Sequence, residues 1–172
     1  MGEKISTRRK IYEEIVLNPG LHFRELQKRL DIPTGMLEYH LSVLEREGVI
    51  VSKMDGKYKR FFANTHMSRD ERRIMGALRS EIGRRIVIFL LENGRSRHAD
   101  MAESLGIRGS TLSYHLTKLV KSGIIGREEE GREVFYFVID PEKVAATIVK
   151  YRKSFLDVLV DNFVRWYLSD TK

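Results

Sequence analysis

A chain of 172 residues with 42% hydrophobic and 32% charged side chains has the balance of a soluble globular protein, and it is long enough for one large or two small domains. Lys and Arg outnumber Asp and Glu by 31 to 24, a net charge of +7 that fits a polyanionic partner. There is no cysteine, which excludes disulfides, thiolate metal sites and cysteine nucleophiles; without a signal-peptide core or an apolar run of membrane-spanning length, the expectation is a cytoplasmic protein with no membrane partner.

Along the chain, Ser6 is placed to cap a first helix that turns Ile11, Ile15 and Val16 inward and Arg8, Arg9, Lys10 and Glu14 outward. Asn18-Pro19-Gly20 stops it. A short helix follows from His22 to Leu30, with Phe23, Leu26 and Leu30 spaced for burial. Asp31-Ile32-Pro33 turns the chain, Thr34 is expected to cap a third helix over 34–47, and Gly48 ends it as a C′ glycine. Val49–Met54 and Tyr58–Ala63 read as strands joined through Asp55-Gly56, a strong hairpin signal. Three helices and a two-stranded hairpin make a winged helix-turn-helix.

An arginine-rich connection (Arg69, Arg72, Arg73, Arg79) holds a linker helix capped by Ser68, with Ile74, Met75 and Leu78 on one side. Ser80 starts a new helix with Ile82, Ile86, Phe89 and Leu90 inward, stopped by Asn93-Gly94. A helix over Arg97–Leu105 ends at Gly106; Ser110 is expected to cap the next, over 110–122, which Gly123 terminates. A second hairpin pairs Ile124–Glu129 with Glu133–Ile139 around Glu130-Gly131. Asp140-Pro141-Glu142 then combines an N-cap, proline at N1 and a first-turn acid.

From there to Leu168 no residue interrupts the helical pattern, and Val144, Ile148, Tyr151, Phe155 and Val158 recur at spacings of four and three. Leu159, Phe163, Trp166 and Tyr167 widen the stripe. One continuous helix of roughly 27 residues would be ~40 Å long, more than one small domain covers. Pairing with a second copy is therefore expected, through Ile148, Tyr151, Phe155, Val158, Leu159, Phe163 and Trp166.

The stretch Leu37–Phe62 recurs without a gap as Leu112–Phe137. Leu37, Tyr39, His40, Leu41, Leu44, Gly48, Ile50, Gly56 and Phe62 reappear as Leu112, Tyr114, His115, Leu116, Leu119, Gly123, Ile125, Gly131 and Phe137. A repeat longer than a solenoid unit means two copies of one small domain. The expected fold is mainly α with small β-hairpin wings: a winged-helix domain over 1–66, a linker helix over 67–79, a second winged-helix domain over 80–139 and a long C-terminal helix over 140–172.

On a helical wheel Leu37, Leu41 and Leu44 form the buried ridge of the third helix, while Gly35, Tyr39, Ser42 and Arg46 fall opposite, with Val43 nearby. The second copy presents Ser110, Tyr114, Thr117, Lys118 and Lys121 on that face, with Thr111 and Ser113 in its first turns and Ser113 standing where the first copy has Glu38. Hydroxyls, a tyrosine and cations suit a major groove, where they can meet base edges and phosphates; solvated helix faces in general carry such residues too. The wings differ: Lys53, Lys57, Lys59 and Arg60 stand against Asp55 in the first, but Glu128, Glu129, Glu130 and Glu133 against Arg127 and Arg132 in the second. The two copies are therefore expected to dock differently. His40 and His115 lie at the ridge border, and His22, His66 and His98 are scattered singly. Each reads as an imidazole hydrogen-bonded to backbone or phosphate, and no metal or cofactor is expected.

The segment GLHFRELQKRLDIPTGMLEYHLSVLEREGVI followed by DGKYKRFF resembles the ArsR-like branch of winged-helix transcription regulators, as does Ser110–Phe137; Ser80–Gly94 is similar to the family's first helix. The tandem form is similar to two-domain regulators common in archaea. The resemblance implies dimers and double-stranded DNA read by the third helix and wing, here Thr34–Arg46 with Lys57–Arg60 and Ser110–Lys121 with Arg132. Members that sense metals use a cysteine pair on the reading helix, or Asp and His on the last helix; this chain has no Cys and no His in 141–172. The leading expectation is a sequence-specific DNA-binding transcription regulator and homodimer, with no effector legible. The alternative is a winged-helix module that binds proteins of the transcription or replication machinery. No phosphate loop, carboxylate pair or nucleophile constellation points to an enzyme.

Overall fold

A computed structural model describes residues 2–64, 67–155 and 157–170, with side chains described from 7 to 169 except at those gaps. It divides into two compact units, Met1–Gly76 and Ala77–Lys172. The Ser6 side chain, His66 and the expected domain end at 66 lie outside the described residues.

In the first unit α1 (Gly2–Leu17) already begins at Gly2, upstream of Ser6. A two-residue strand β1 (Leu21–His22) leads into α2 (Phe23–Leu30), then α3 (Thr34–Arg46), and β2 (Ile50–Asp55) and β3 (Tyr58–Ala63) close the unit as a sheet of order β1-β3-β2. Helix α2 starts on a capping box in which His22 Nδ1 accepts the Glu25 N–H at 3.3 Å and Glu25 Oε2 accepts the His22 N–H at 2.9 Å. Ile11, Ile15, Leu21, Leu26, Leu37, Leu41, Leu44, Ile50 and Phe61 form the core, so each helix buries one stripe against the wing's inner face. Val16, expected inward, is exposed. Strand β1 was not expected: two residues are too few to show an alternating period, and its pairing Leu21↔Phe61 joins segments far apart in sequence.

Helix α4 (Arg69–Leu78) runs across the boundary between the units. It starts on a second capping box, Ser68 Oγ accepting the Glu71 N–H at 3.0 Å and Glu71 Oε2 accepting the Ser68 N–H at 2.8 Å. Ile74, Met75 and Leu78 are buried as expected. The second unit repeats the plan with α5 (Glu81–Asn93), capped by Ser80, then β4 (Ser96–Arg97), α6 (His98–Leu105), α7 (Gly109–Lys121), β5 (Ile125–Glu130) and β6 (Glu133–Val138), in a sheet of order β4-β6-β5. The two hairpins share one register, Ser52↔Phe61 matching Arg127↔Tyr136.

Two expected caps are corrected. Thr34 and Ser110 lie within the first turns of α3 and α7, whose cap positions are Pro33 and Arg108 with no side-chain cap bond. Thr34 Oγ1 instead accepts from Gln27 Nε2 at 2.8 Å, and Gln27 Nε2 also lies 3.2 Å from the Ile32 carbonyl, so α2 itself braces the turn.

The C-terminal segment is helical, as expected, but it is not one continuous helix. It forms α8 (Pro141–Lys150), a single 3-10 turn at Arg152–Ser154, and α9 (Val158–Asp170). The expected start holds: Asp140 Oδ1 accepts the Lys143 N–H at 3.2 Å with Pro141 at N1. The interruption comes from distant partners. Arg79 donates to Ser154 Oγ at 2.9 Å and to the Ser154 carbonyl at 3.2 Å, and Arg84 Nε donates to Asp157 Oδ2 at 3.0 Å. Asp157 Oδ1 accepts the Leu159 N–H at 2.9 Å and so starts α9 as a new helix. Both guanidinium groups stack near the Phe155 ring, at 5.1 and 5.5 Å. The apolar stripe is thereby spent inside the unit: Val144, Ile148, Phe155 and Phe163 are buried, and α9 packs on α5 and α8. Of the expected dimer contacts, Tyr151 and Leu159 are half-buried; Val158, 72% exposed, and Trp166 stay open.

Candidate nucleic-acid interface

Helix α3 buries Leu37, His40, Leu41, Val43 and Leu44 and exposes Thr34, Gly35, Met36, Glu38, Tyr39, Ser42 and Arg46. Val43, which the wheel put near the outer face, is part of the core. Tyr39 is 53% exposed with its ring edge-on to His40, 5.3 Å away. In α7 the ridge is Leu112, Leu116 and Leu119, and Ser110, Ser113, Tyr114, Thr117 and Lys121 are exposed, while Thr111 and Lys118 are half-buried. Tyr114, 63% exposed, lies edge-on to His115 at 5.1 Å. Burial and then the charge of Lys118 hold the His115 pKa below its ordinary value, so this imidazole stays neutral where a free one begins to protonate.

Some of the outward hydroxyls are already engaged. Thr117 Oγ1 donates to the Ser113 carbonyl at 2.9 Å, which leaves it as an acceptor toward base amino groups. Ser113 Oγ lies 2.9 Å from His98 Nε2, which is also 3.2 Å from the Gly109 carbonyl, so a histidine at the start of α6 braces the start of α7. That matches the backbone-bonded role expected of the lone histidines. Two exposed residues on these faces escaped the sequence reading: Met36, and Arg108 directly before α7. For Arg108 the signal was its place one residue ahead of the helix; Met36 gave none, since an outward methionine looks like core.

The first wing holds its cations in three states. Lys57 and Lys53 are exposed and make no ion pair among the described residues; Lys57 Nζ lies 5.3 Å from the Tyr58 ring, which stacks on His22 at 4.9 Å. Lys59 is exposed but paired with Glu45 Oε2 at 2.9 Å. Burial pushes the Glu45 carboxyl up, but hydrogen bonds from Lys59 and Ser52 and the Lys59 charge outweigh it and hold it below the ordinary carboxylate value. Arg60, expected among the DNA contacts, is 7% exposed and is corrected to a structural role. Its Nε donates to Asp55 Oδ2 and its Nη1 to the Gly20 carbonyl, both at 2.9 Å, tying the wing to the turn after α1.

The second wing is closed on itself. Arg95 pairs with Glu130 at 2.7 Å and Glu128 at 3.4 Å and lies 3.8 Å over the Phe135 ring; Arg97 pairs with Glu133 at 2.6 Å and Asp100 at 2.9 Å; Arg127 pairs with Glu129 at 2.8 Å. Every wing glutamate singled out from the sequence is thus opposed by an arginine, two of which, Arg95 and Arg97, lie just before and on β4 some 35 residues away. Among the described residues no three His, Asp or Glu side chains gather as a metal site, and no helix is long and apolar enough to cross a membrane.

A family model described as an N-terminal HTH domain matches residues 5–75, and one described as winged helix-turn-helix DNA-binding matches 79–125. The chain is a tandem winged helix-turn-helix protein. An HTH-type transcriptional regulator of Methanocaldococcus jannaschii is 33% identical to it over 147 residues, 86% of this chain and 35% of that one. Another from Pyrococcus furiosus is 35% identical over 69 residues, 40% of this chain and 42% of that one. This tandem winged helix-turn-helix protein therefore spans less than half the length of these curated relatives. Among solved structures, HlyU of Vibrio cholerae is 25% identical with a TM-score of 0.43, covering 50% of this chain and 96% of that one. The homodimeric winged helix-turn-helix DNA-binding domain Mb0332 of Mycobacterium bovis is 25% identical with a TM-score of 0.41, covering 51% and 83%.

Proposed function

We propose that this protein is a sequence-specific transcription regulator that binds double-stranded DNA, with α3 and α7 as its reading helices and the first wing as its main phosphate contact. The observation that carries this reading is the pair of outward helix faces. Each sets an exposed tyrosine, a hydroxyl and a cation above a leucine ridge, and neither Arg46 nor Lys121 makes an ion pair among the described residues. The archaeal relatives, named as HTH-type transcriptional regulators, and the family description over 79–125 support it. Open lysines on the first wing and paired arginines on the second support unequal docking of the two domains.

Duplex binding as a function of salt tests it. Log K should fall against log salt with a slope near −0.9 for each phosphate neutralised. Lys53→Ala/Lys57→Ala should make the slope shallower by about two, one per phosphate-contacting lysine. Lys59→Ala should change it less, since Glu45 already opposes that charge. Lack of measurable binding at ~50 mM salt would sink the DNA reading. It would favour the second one, a module that binds protein, which the ion-paired second wing supports.

The proposal keeps a homodimer and confines its contact on the C-terminal segment to the open edge of α9, Val158 and Trp166. Sedimentation mass checks it: Val158→Glu/Trp166→Glu should run as a monomer where the parent runs as a dimer, and an unchanged dimer would move the interface elsewhere.

A further inference from the structure

The duplicated helix–wing junction has diverged so that one copy carries an open groove there. In the first domain the space between α3 and the hairpin is occupied by Glu45, which accepts from Ser52 Oγ on β2 and Lys59 Nζ on β3. The residues at the matching places in the second domain are Val120, Arg127 and Val134, and Phe61 is matched by Tyr136. The carboxylate that sealed the groove is gone, together with both of its donors. What remains is an open groove of about 340 Å³ lined by Thr117, Val120, Lys121, Arg127 and Tyr136. That volume is at the lower end of the range for small-molecule sites, ~300–1,000 Å³.

The lining is specific in sign and shape. Val120 and the Tyr136 ring supply an apolar floor. Lys121 at the rim has no ion pair among the described residues. Arg127 pairs with Glu129 at 2.8 Å and stands opposite Tyr136 in the β5–β6 register, yet a guanidinium carries five N–H donors, so donors remain for a further acceptor. The Tyr136 hydroxyl carries one O–H that can donate. Thr117 contributes no donor, because its proton is on the Ser113 carbonyl. Two cations and a phenol above an apolar floor match a carboxylate on a flat apolar body, and a bare inorganic anion would leave the floor wet.

We propose that the groove between α7 and the second wing binds a small organic anion, a carboxylate carried on a flat apolar group. Because the groove opens beside the outward face of α7, such a ligand and duplex DNA would exclude one another; that consequence rests on the DNA reading above, whereas the binding does not. The test is therefore made on the full chain without DNA, by following backbone amide resonances during titration with benzoate. Saturable shifts centred on Val120, Lys121 and Arg127 are expected, with benzylamine and inorganic phosphate leaving those resonances in place. Val120→Glu, which puts back the carboxylate that the first domain carries here, should weaken benzoate binding about tenfold or more by occupying Arg127. Lys121→Gln, an exposed change that spares the fold, should weaken it as well. Absence of saturable shifts with benzoate overturns the proposal, as do equal shifts with benzylamine or phosphate, or undiminished binding in Val120→Glu.

Discussion

Arg60→Ala is expected to unfold the first domain at temperatures the parent withstands, not merely to weaken a DNA contact. The guanidinium is almost fully buried and makes two hydrogen bonds, one to a carboxylate and one to a main-chain carbonyl on the far side of the turn after α1. Its removal takes a donor from the Gly20 carbonyl and an ion-pair partner from the half-buried Asp55 carboxylate. Breaking a buried pair from one side costs about 3–5 kcal/mol, and because Asp55 keeps some water the lower end applies, about 3 kcal/mol. A domain of this size loses ~4–8 °C of melting temperature per kcal/mol, so a fall of roughly 10–25 °C follows. Arg60→Lys should recover only part of it, since one ammonium on a flexible stem does not reproduce the planar fork. Amide exchange locates the damage: protection should drop within residues 11–63 and persist in the second unit. Unchanged melting with weakened duplex binding would return Arg60 to the DNA-facing set.

Phe163→Ala should cost the second unit still more. The ring is fully buried, 5.7 Å from the Trp166 ring and 5.8 Å from that of Tyr167, on a stripe with Val160 and Val164. Emptying such a site loses the transfer energy of the ring and leaves a cavity, about 3–5 kcal/mol. Melting should fall by roughly 12–40 °C. Because the ring packs inside its own chain, the fall should not depend on protein concentration, whereas a residue at a subunit interface gives melting that does. Trp166→Ala, at a position left partly open, should cost far less. A small loss for Phe163→Ala, or one that shrinks as concentration rises, would restore the intermolecular role that the sequence suggested.

Those two residues show where local reading of the sequence succeeds and where it stops. The leucine ridges of α3 and α7 and the stops at Gly48 and Gly123 are set by neighbours within a few residues, and they stand as expected; the hairpin turn falls one residue later than read, at Gly56-Lys57, with Asp55 paired to Tyr58. Ser68, Ser80 and Asp140 cap their helices as read. Arg60 was taken for a surface cation because the three residues before it are two cations and an exposed tyrosine; the Gly20 carbonyl that claims it is 40 positions away. The end of α8 was hidden for the same reason: no proline or glycine marks it, and the arginines that enforce it stand 73 and 75 positions upstream. The second wing was set apart from the first by four glutamates, while two of the arginines that oppose them, Arg95 and Arg97, lie just before and on a strand two residues long. The tyrosines, hydroxyls and cations of the reading faces were largely legible because a helical wheel sorts them without tertiary knowledge.

The fold-back of the C-terminal segment also sets how far the protein can reach. As one rod it would have been a lever arm of ~40 Å; as two pieces of 10 and 13 residues it gives helices of ~15 and ~20 Å. An arm that long could hold two DNA-reading units apart at a spacing set by its own length. Folded against α5, the segment is no longer a spacer. If two copies pair as proposed above, their separation would be set by the breadth of the domains, and a change in chain length near Tyr151 would alter stability before it altered spacing.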